Sequence, residues 1–339
     1  MKRFSAALLV AACGASTSGS QPQDAHTPID TFTADARVDA HVDAAIDASA
    51  DAPTDGPGVA SGTHYHYILN SLTWPRSVTE ARTDGFDLNN DGTVDNQLGM
   101  VSSTLSVLGL NAQTPEDQAI AHGTVLMLAD LQTTDLTTAS GAGYTMYLGT
   151  DPNPAPCNGA SDTICGHHLT GTGAFDAAAT PRDPQLIGSM TSGVLTAGPG
   201  HLSMGLSIAT SKPVTVTLLG ARVKLTVTAT GITTGILGGA IPVGDFHSTI
   251  FPAMQQSATE AIAHDCTGMN PPGCGCAPNS IGANLIVTFD ANHNCAVSEP
   301  EIENNSIVQS MFAPDVTIDG QTALSVGFAV TGVKATFTP

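Results

Sequence analysis

Short runs of alternating apolar and polar residues recur along this chain, and they are densest after residue 190. In 214–219 and 222–228 Val and Leu alternate with Thr and Lys, the two-residue period of a strand with one buried face. Gly220-Ala221 between them reads as a tight hairpin turn. Runs 202–208 and 324–336 are further strands, with Gly327 and Gly332 as bulge positions in the last. Earlier strands fall at 65–69, 125–131 and 144–148. The period becomes helical at 251–264, where Met254, Ala258, Ala261 and Ile262 share a face. It does so again where Leu98, Val101, Leu105 and Leu108 recur, and a short helix ends at 118–122. The pattern predicts a mainly β fold, an antiparallel β-sandwich-like body with a few short helices. It divides into a mixed α/β lobe at 63–190 and a β-sandwich lobe at 191–339. No internal repeat stands out.

The first 62 residues break the pattern. Lys2 and Arg3 precede a short apolar stretch, 5–12, far below the roughly 20 residues that span a bilayer. Residues 1–12 read as the signal peptide of an exported chain. Val10-Ala11-Ala12-Cys13 resembles the lipobox of bacterial lipoproteins. The resemblance implies that Cys13 carries diacylglycerol and becomes the new N-terminus. It also implies a membrane partner through the lipid, with the outer membrane or cell surface as destination. Residues 13–62 then form the lipidated cysteine and an acidic linker. Asp recurs at Asp35, Asp39, Asp43, Asp47, Asp51 and Asp55, so a helix would stack like charges on one face. A segment this polar cannot offset its ordering entropy, and the expectation is a disordered, self-repelling tether.

Charge narrows the range of partners. The formal net charge is −20, with Lys plus Arg only 10, so the cations that displace counterions from phosphate are missing and nucleic acid is not an expected partner. Without the signal and tether, the body still holds 22 acidic against 7 basic residues, a balance that suits cations.

Two segments carry chemistry for calcium. In 87–95, Asp87, Asn89, Asp91 and Asp95 occupy positions 1, 3, 5 and 9, Thr93 position 7, and Gly92 position 6. That is the oxygen-ligand spacing of an EF-hand-type loop, with glycine at the sharp turn. Leu98 stands where a bidentate Glu would be, so the loop resembles dockerin-like or thrombospondin-type calcium loops more than a full EF-hand. In 290–301 the ligand positions hold Asp290, Asn292, Asn294, Ala296 through its carbonyl, Ser298 and Glu301. Here Cys295 replaces the glycine, which calls for positive φ at a non-Gly residue, a strain that a disulfide would hold. A strand-like run, 283–289, precedes this loop and a helix-capable run, 301–311, follows it. The expected ion is Ca2+, in a stabilising role.

Cys157, Cys165, Cys266, Cys274, Cys276 and Cys295 remain besides Cys13, an even number that in an exported chain reads as disulfides. Cys157 and Cys165 bracket a Gly- and Asn-rich loop and are expected to pair locally; the other four have open connectivity, except that Cys274 and Cys276 are too close to pair. The rival reading is zinc on Cys266, Cys274, Cys276 and Cys295 with His264 and His293, although the spacing matches no standard module. His64 and His66 alternate in a strand and share a face, an arrangement that takes zinc or copper but is more often mere surface.

The Gly-x-Ser-x-Gly elbow, Walker loop, dinucleotide fingerprint, Ser-x-x-Lys and His-Glu-x-x-His are all missing from the sequence. One Trp and four Tyr leave little for the aromatic platforms of a sugar-processing cleft. The plan as a whole resembles uncharacterised surface lipoproteins of large-genome bacteria, a resemblance that implies no activity. The expected function is a lipid-anchored, calcium-stabilised, non-catalytic surface or binding module with a protein or glycan partner. The alternatives are a secreted hydrolase with an unrecognised site and a solute-binding or transport component.

Overall fold

The computed structural model describes residues 59–107, 110–159, 161–207, 213–268, 270 and 274–339. The signal peptide, Cys13 and nearly all of the tether lie outside the described residues.

Among the described residues ten strands carry the fold: β1 (Thr63–Thr73), β2 (Met127–Thr133), β3 (Ala139–Asn153), β4 (Ala174–Ala177), β5 (Leu186–Thr191), β6 (Val194–Leu206), β7 (Val214–Thr228), β8 (Gly231–Pro242), β9 (Val316–Ile318) and β10 (Gln321–Lys334). Eight of them run β1-β2-β3-β5-β6-β7-β8-β10 and close when β1 also pairs with β10, all antiparallel. The expected sandwich is therefore a closed barrel. Closure removes the open edges that two stacked sheets would leave. The expected border between lobes falls in the β5–β6 hairpin, where Thr191 pairs with Val194, and strands from both sides share the one closed sheet.

Alternation fills the barrel. Tyr67 and Leu69 of β1, Ala129 and Leu131 of β2, and Tyr144 and Met146 of β3 point inward with Leu225, Leu237 and Phe328. The buried Tyr67 hydroxyl keeps a partner by donating to the Thr228 carbonyl at 2.8 Å. Exposed large hydrophobics among the described residues lie in loops and helices, whereas the exposed positions of β7 are Thr215, Lys224 and Thr228.

Two local expectations are corrected. Gly220-Ala221 is not a hairpin turn, because β7 runs through it as one strand. Gly220 sits at φ 59°, and the register against β8 shifts between Leu219 and Arg222, so the pair forms a bulge. The bulge moves the inward phase from Leu218 to Ala221, which is why two separate alternations appear in the sequence. The run 283–289 is helix, not strand, and its cause is given below. Gly332 does sit at a register shift, between Val330 and Gly332, whereas Gly327 pairs regularly with Gly238.

The helices gather over one region of the barrel. They are α1 (Val78–Ala81), α2 (Leu98–Val107), α3 (Gln113–Ala121), α4 (Val243–Asp245), α5 (Phe251–Asp265), α6 (Ile281–Phe289), α7 (Glu299–Glu303) and α8 (Ser306–Met311). A π-helical turn, Phe246–Ile250, joins α4 to α5. The β-branched residues of α6 suggest a strand, but Ser280 caps the helix by accepting from the Ala283 N–H at 3.2 Å. Its Ile286 and Phe289 are then buried in the main core with Ile262 of α5. Tertiary burial outweighs a weak local propensity here.

Candidate functional site

The two Asp-initiated loops have one backbone design. In the first, Asp87 accepts from the Asp91 N–H with Oδ1 at 3.1 Å and from the Gly92 N–H with Oδ2 at 2.9 Å. In the second, Asp290 accepts from Asn294 with Oδ1 at 2.9 Å and from Cys295 with Oδ2 at 2.8 Å. Position 5 repeats as well: Asp91 accepts from the Thr93 N–H at 2.8 Å, and Asn294 from the Ala296 N–H at 2.9 Å. Positive φ falls at positions 4 and 6 of both, at Asn90 (61°) and Gly92 (88°), then His293 (58°) and Cys295 (66°). In both loops the two oxygens of the leading Asp satisfy backbone N–H groups of the turn, the usual way an Asx side chain closes a tight loop.

The loops are anchored differently. The first docks on the outside of the barrel, where Leu88 packs with Leu219, Ala240, Val316 and Ile318. Arg222, at the β7 bulge, donates to the Asp87 carbonyl at 2.8 Å. Asp95 takes the Leu88 N–H at 2.8 Å. Burial pushes its carboxyl above the ordinary range, with added repulsion from Asp315 and Asp91. A carboxylate so placed gains from a nearby cation. The second loop is built into the helical cap. Asp290 is buried, and Val297 enters the core. Glu301 takes the N–H of Ser298 at 2.9 Å and of Asn292 at 3.3 Å. Asn292 therefore joins the loop through its backbone, and Ser298 also caps α7.

All six described cysteines are bonded, Cys157 to Cys165, Cys266 to Cys276 and Cys274 to Cys295. With every sulfur in a disulfide, the rival zinc site on the C-terminal four has no thiolate to offer. The Cys274–Cys295 bond falls on the residue that replaced glycine. A left-handed non-Gly residue costs roughly 1–2 kcal/mol. Closing a loop with a sequence separation of 21 removes about 3 kcal/mol of unfolded-state entropy, so the bond outweighs the strain.

A feature that no sequence period announced lies between barrel and cap. A chamber of about 970 Å³ is lined by Trp74, Leu98 and Leu105 on one side and by Met254, Leu285 and Phe312 on the other. Its solvent-exposed lining residues are Asn111, Thr114, Gln118, His264, Asn279, Ile281 and Ile307. Among its polar lining residues, His264 and Asp265 are committed to structure. Asp265 accepts from His264 at 2.7 Å and from the Gly282 N–H at 2.8 Å, while the His264 side chain is 87% exposed. Ser280, also on the wall, is held by its cap on α6.

Glu116 of α3 is fully buried beside this region. Its Oε2 accepts from the Ser207 N–H at 2.6 Å, whereas Oε1 has no hydrogen-bond partner. Burial raises its pKa to about 7.

No protein-family model matches the chain, and no curated protein or solved structure matches it either.

Proposed function

We propose that this chain is a lipid-anchored, calcium-stabilised, non-catalytic binding module that holds an apolar small molecule at the end of its barrel. The chamber carries the reading. Ligand sites are typically concave, mostly apolar and about 300–1,000 Å³, and the mouths of β-barrels are a recurrent location. Glu260 and Asp265 on its wall are acidic, which favours a ligand whose polar end is neutral or cationic. The hydrolase alternative is not favoured, because the His264–Asp265 pair serves as a helix-terminus brace and the hydroxyl beside it, Ser280, caps α6. What supports the calcium part of the reading is the sequence spacing of the oxygen-bearing residues and the turn geometry that the two loops share, and a bound ion would tie the second loop to the cap and the first to the barrel wall.

The test has two arms. A neutral naphthylamine dye should bind the full chain at one site with a blue-shifted, enhanced emission. Ala258 of α5 is buried against the chamber, so Ala258→Trp fills it and should weaken dye binding at least tenfold with little change in melting temperature. Equal binding by the variant, or none by the native chain, rejects the reading. In the second arm Cys13→Ala should move the chain from the membrane to the soluble fraction; an unchanged distribution rejects the anchor.

A further inference from the structure

His64 and His66 leave β1 on the same outward face, and the neighbouring strand brings them a third group. Asp130 of β2 pairs directly opposite His66 in the register. Its residue is only 3% exposed, and the groups paired with it are the two imidazoles. His64 Nδ1 lies 2.9 Å from Asp130 Oδ2 and 3.0 Å from Oδ1. His66 Nε2 lies 3.5 Å from Oδ1 and, though buried, has no hydrogen-bond partner. Among the described residues this is the one cluster of His, Cys and carboxylate atoms within 4.8 Å of one another that involves no disulfide sulfur.

The surroundings hold these side chains in place. The His66 ring stacks on Phe337 with centroids 4.3 Å apart at 23°, and the His66 carbonyl accepts from the Ala335 N–H at 3.0 Å. Phe337 belongs to an apolar patch with Ile68, Leu128 and Phe175 on the outside of the barrel. Gln132, across from His64, is engaged by Gln185 at 3.3 Å. The His64 side chain is 47% exposed and that of His66 23%, so the cluster opens to solvent more at His64.

We infer that His64, His66 and Asp130 form a binding site for one divalent first-row transition ion, with zinc as the ion that suits the set. Two neutral imidazoles and one carboxylate are borderline donors, which select such ions over calcium or magnesium. Ligand atoms about 2.0–2.2 Å from a tetrahedral ion stand roughly 3.3 Å apart. The His66–Asp130 distance of 3.5 Å already matches, and the His64–Asp130 distance of 2.9 Å needs to open by only a few tenths of an ångström. A buried carboxylate without a fixed cation gains most from such an ion, and the strands, not a loop, set the spacing. The fourth position faces the solvent beside His64.

Titration of the full chain with zinc, in calcium-containing buffer so that the Asp-initiated loops do not compete, tests the site. We expect one tight equivalent, at least tenfold weakened in His64→Ala and in Asp130→Asn, with cobalt giving a tetrahedral absorption band lost in the same variants. His64→Ala removes a half-exposed ring and so keeps the fold, whatever Asp130→Asn does. Unchanged affinity in His64→Ala, or no zinc uptake by the native chain below millimolar concentration, overturns the inference.

Discussion

Asp87 and Asp290 grip their loops in the same manner: each carboxylate spreads its two oxygens over the N–H groups four and five residues onward. One loop lies on the barrel wall and the other in the helical cap, so an ion held in each would stabilise two separate parts of the molecule.

Calcium should therefore raise the unfolding midpoint and a chelator lower it. An ion that binds only the folded state contributes about 2.7 kcal/mol at a hundredfold excess over its dissociation constant. The first loop offers three anionic side chains, Asp87, Asp91 and Asp95, and the second two, Asp290 and Glu301. Asp91→Ala should remove most of the calcium-induced shift and Asp290→Ala a smaller part, with magnesium a poor substitute. Differential scanning calorimetry with and without calcium reads the shift itself, so loss of the Asp290 hydrogen bonds does not confuse the comparison. A midpoint indifferent to calcium would reduce both loops to plain turns.

The strained cysteine gives a second test. Replacing Cys274 and Cys295 by Ala should cost about 3 kcal/mol from loop closure and leave the left-handed strain in place. Pairing Cys274→Ala with Cys295→Gly should recover roughly 1 kcal/mol, because glycine adopts φ 66° freely. Urea denaturation of the two double variants decides it; equal midpoints would show that the turn relaxes once the bond is gone.

Glu116 sets a pH dependence of opposite sense to that of an ordinary surface carboxylate. Folding raises its pKa from 4.5 to about 7, so the folded chain keeps a proton that the unfolded chain has released across that window. Its contribution to stability falls as pH rises from about 4.5 to 7 and levels off above. Glu116→Gln still offers an acceptor to Ser207 and should gain about 3 kcal/mol at pH 8 while gaining little at pH 4. Denaturant titrations at the two pH values check this, and the same gain at both would assign the effect to packing.

What was legible in the sequence was local. The Cys157–Cys165 pair and the helix over 251–264 depend on residues a few positions apart, and each stands as its spacing implied. Cys295 is the sharpest instance: a missing glycine foretold both the positive φ and the bond that holds it. Barrel closure was illegible because it joins distant strands; Thr331 donates to Asn70 across a separation of 261 residues, which no period encodes. The chamber was hidden for the same reason, with walls drawn from segments as distant as Trp74 and Val326. Two of the three residues of the His–His–Asp cluster were visible on β1, but Asp130 joined them only through strand register.

The seam between β1 and β10 also decides how the chain fails. A chain that stops short of residue 321 does not merely lose its end. It leaves β1 and β8 each with a naked row of backbone donors and acceptors, on two sides of a gap, with an apolar lining showing through. Such a truncated product is a strand template for its neighbours, and a late nonsense or frameshift change would turn a closed, edge-free barrel into a body that aggregates through its open edges.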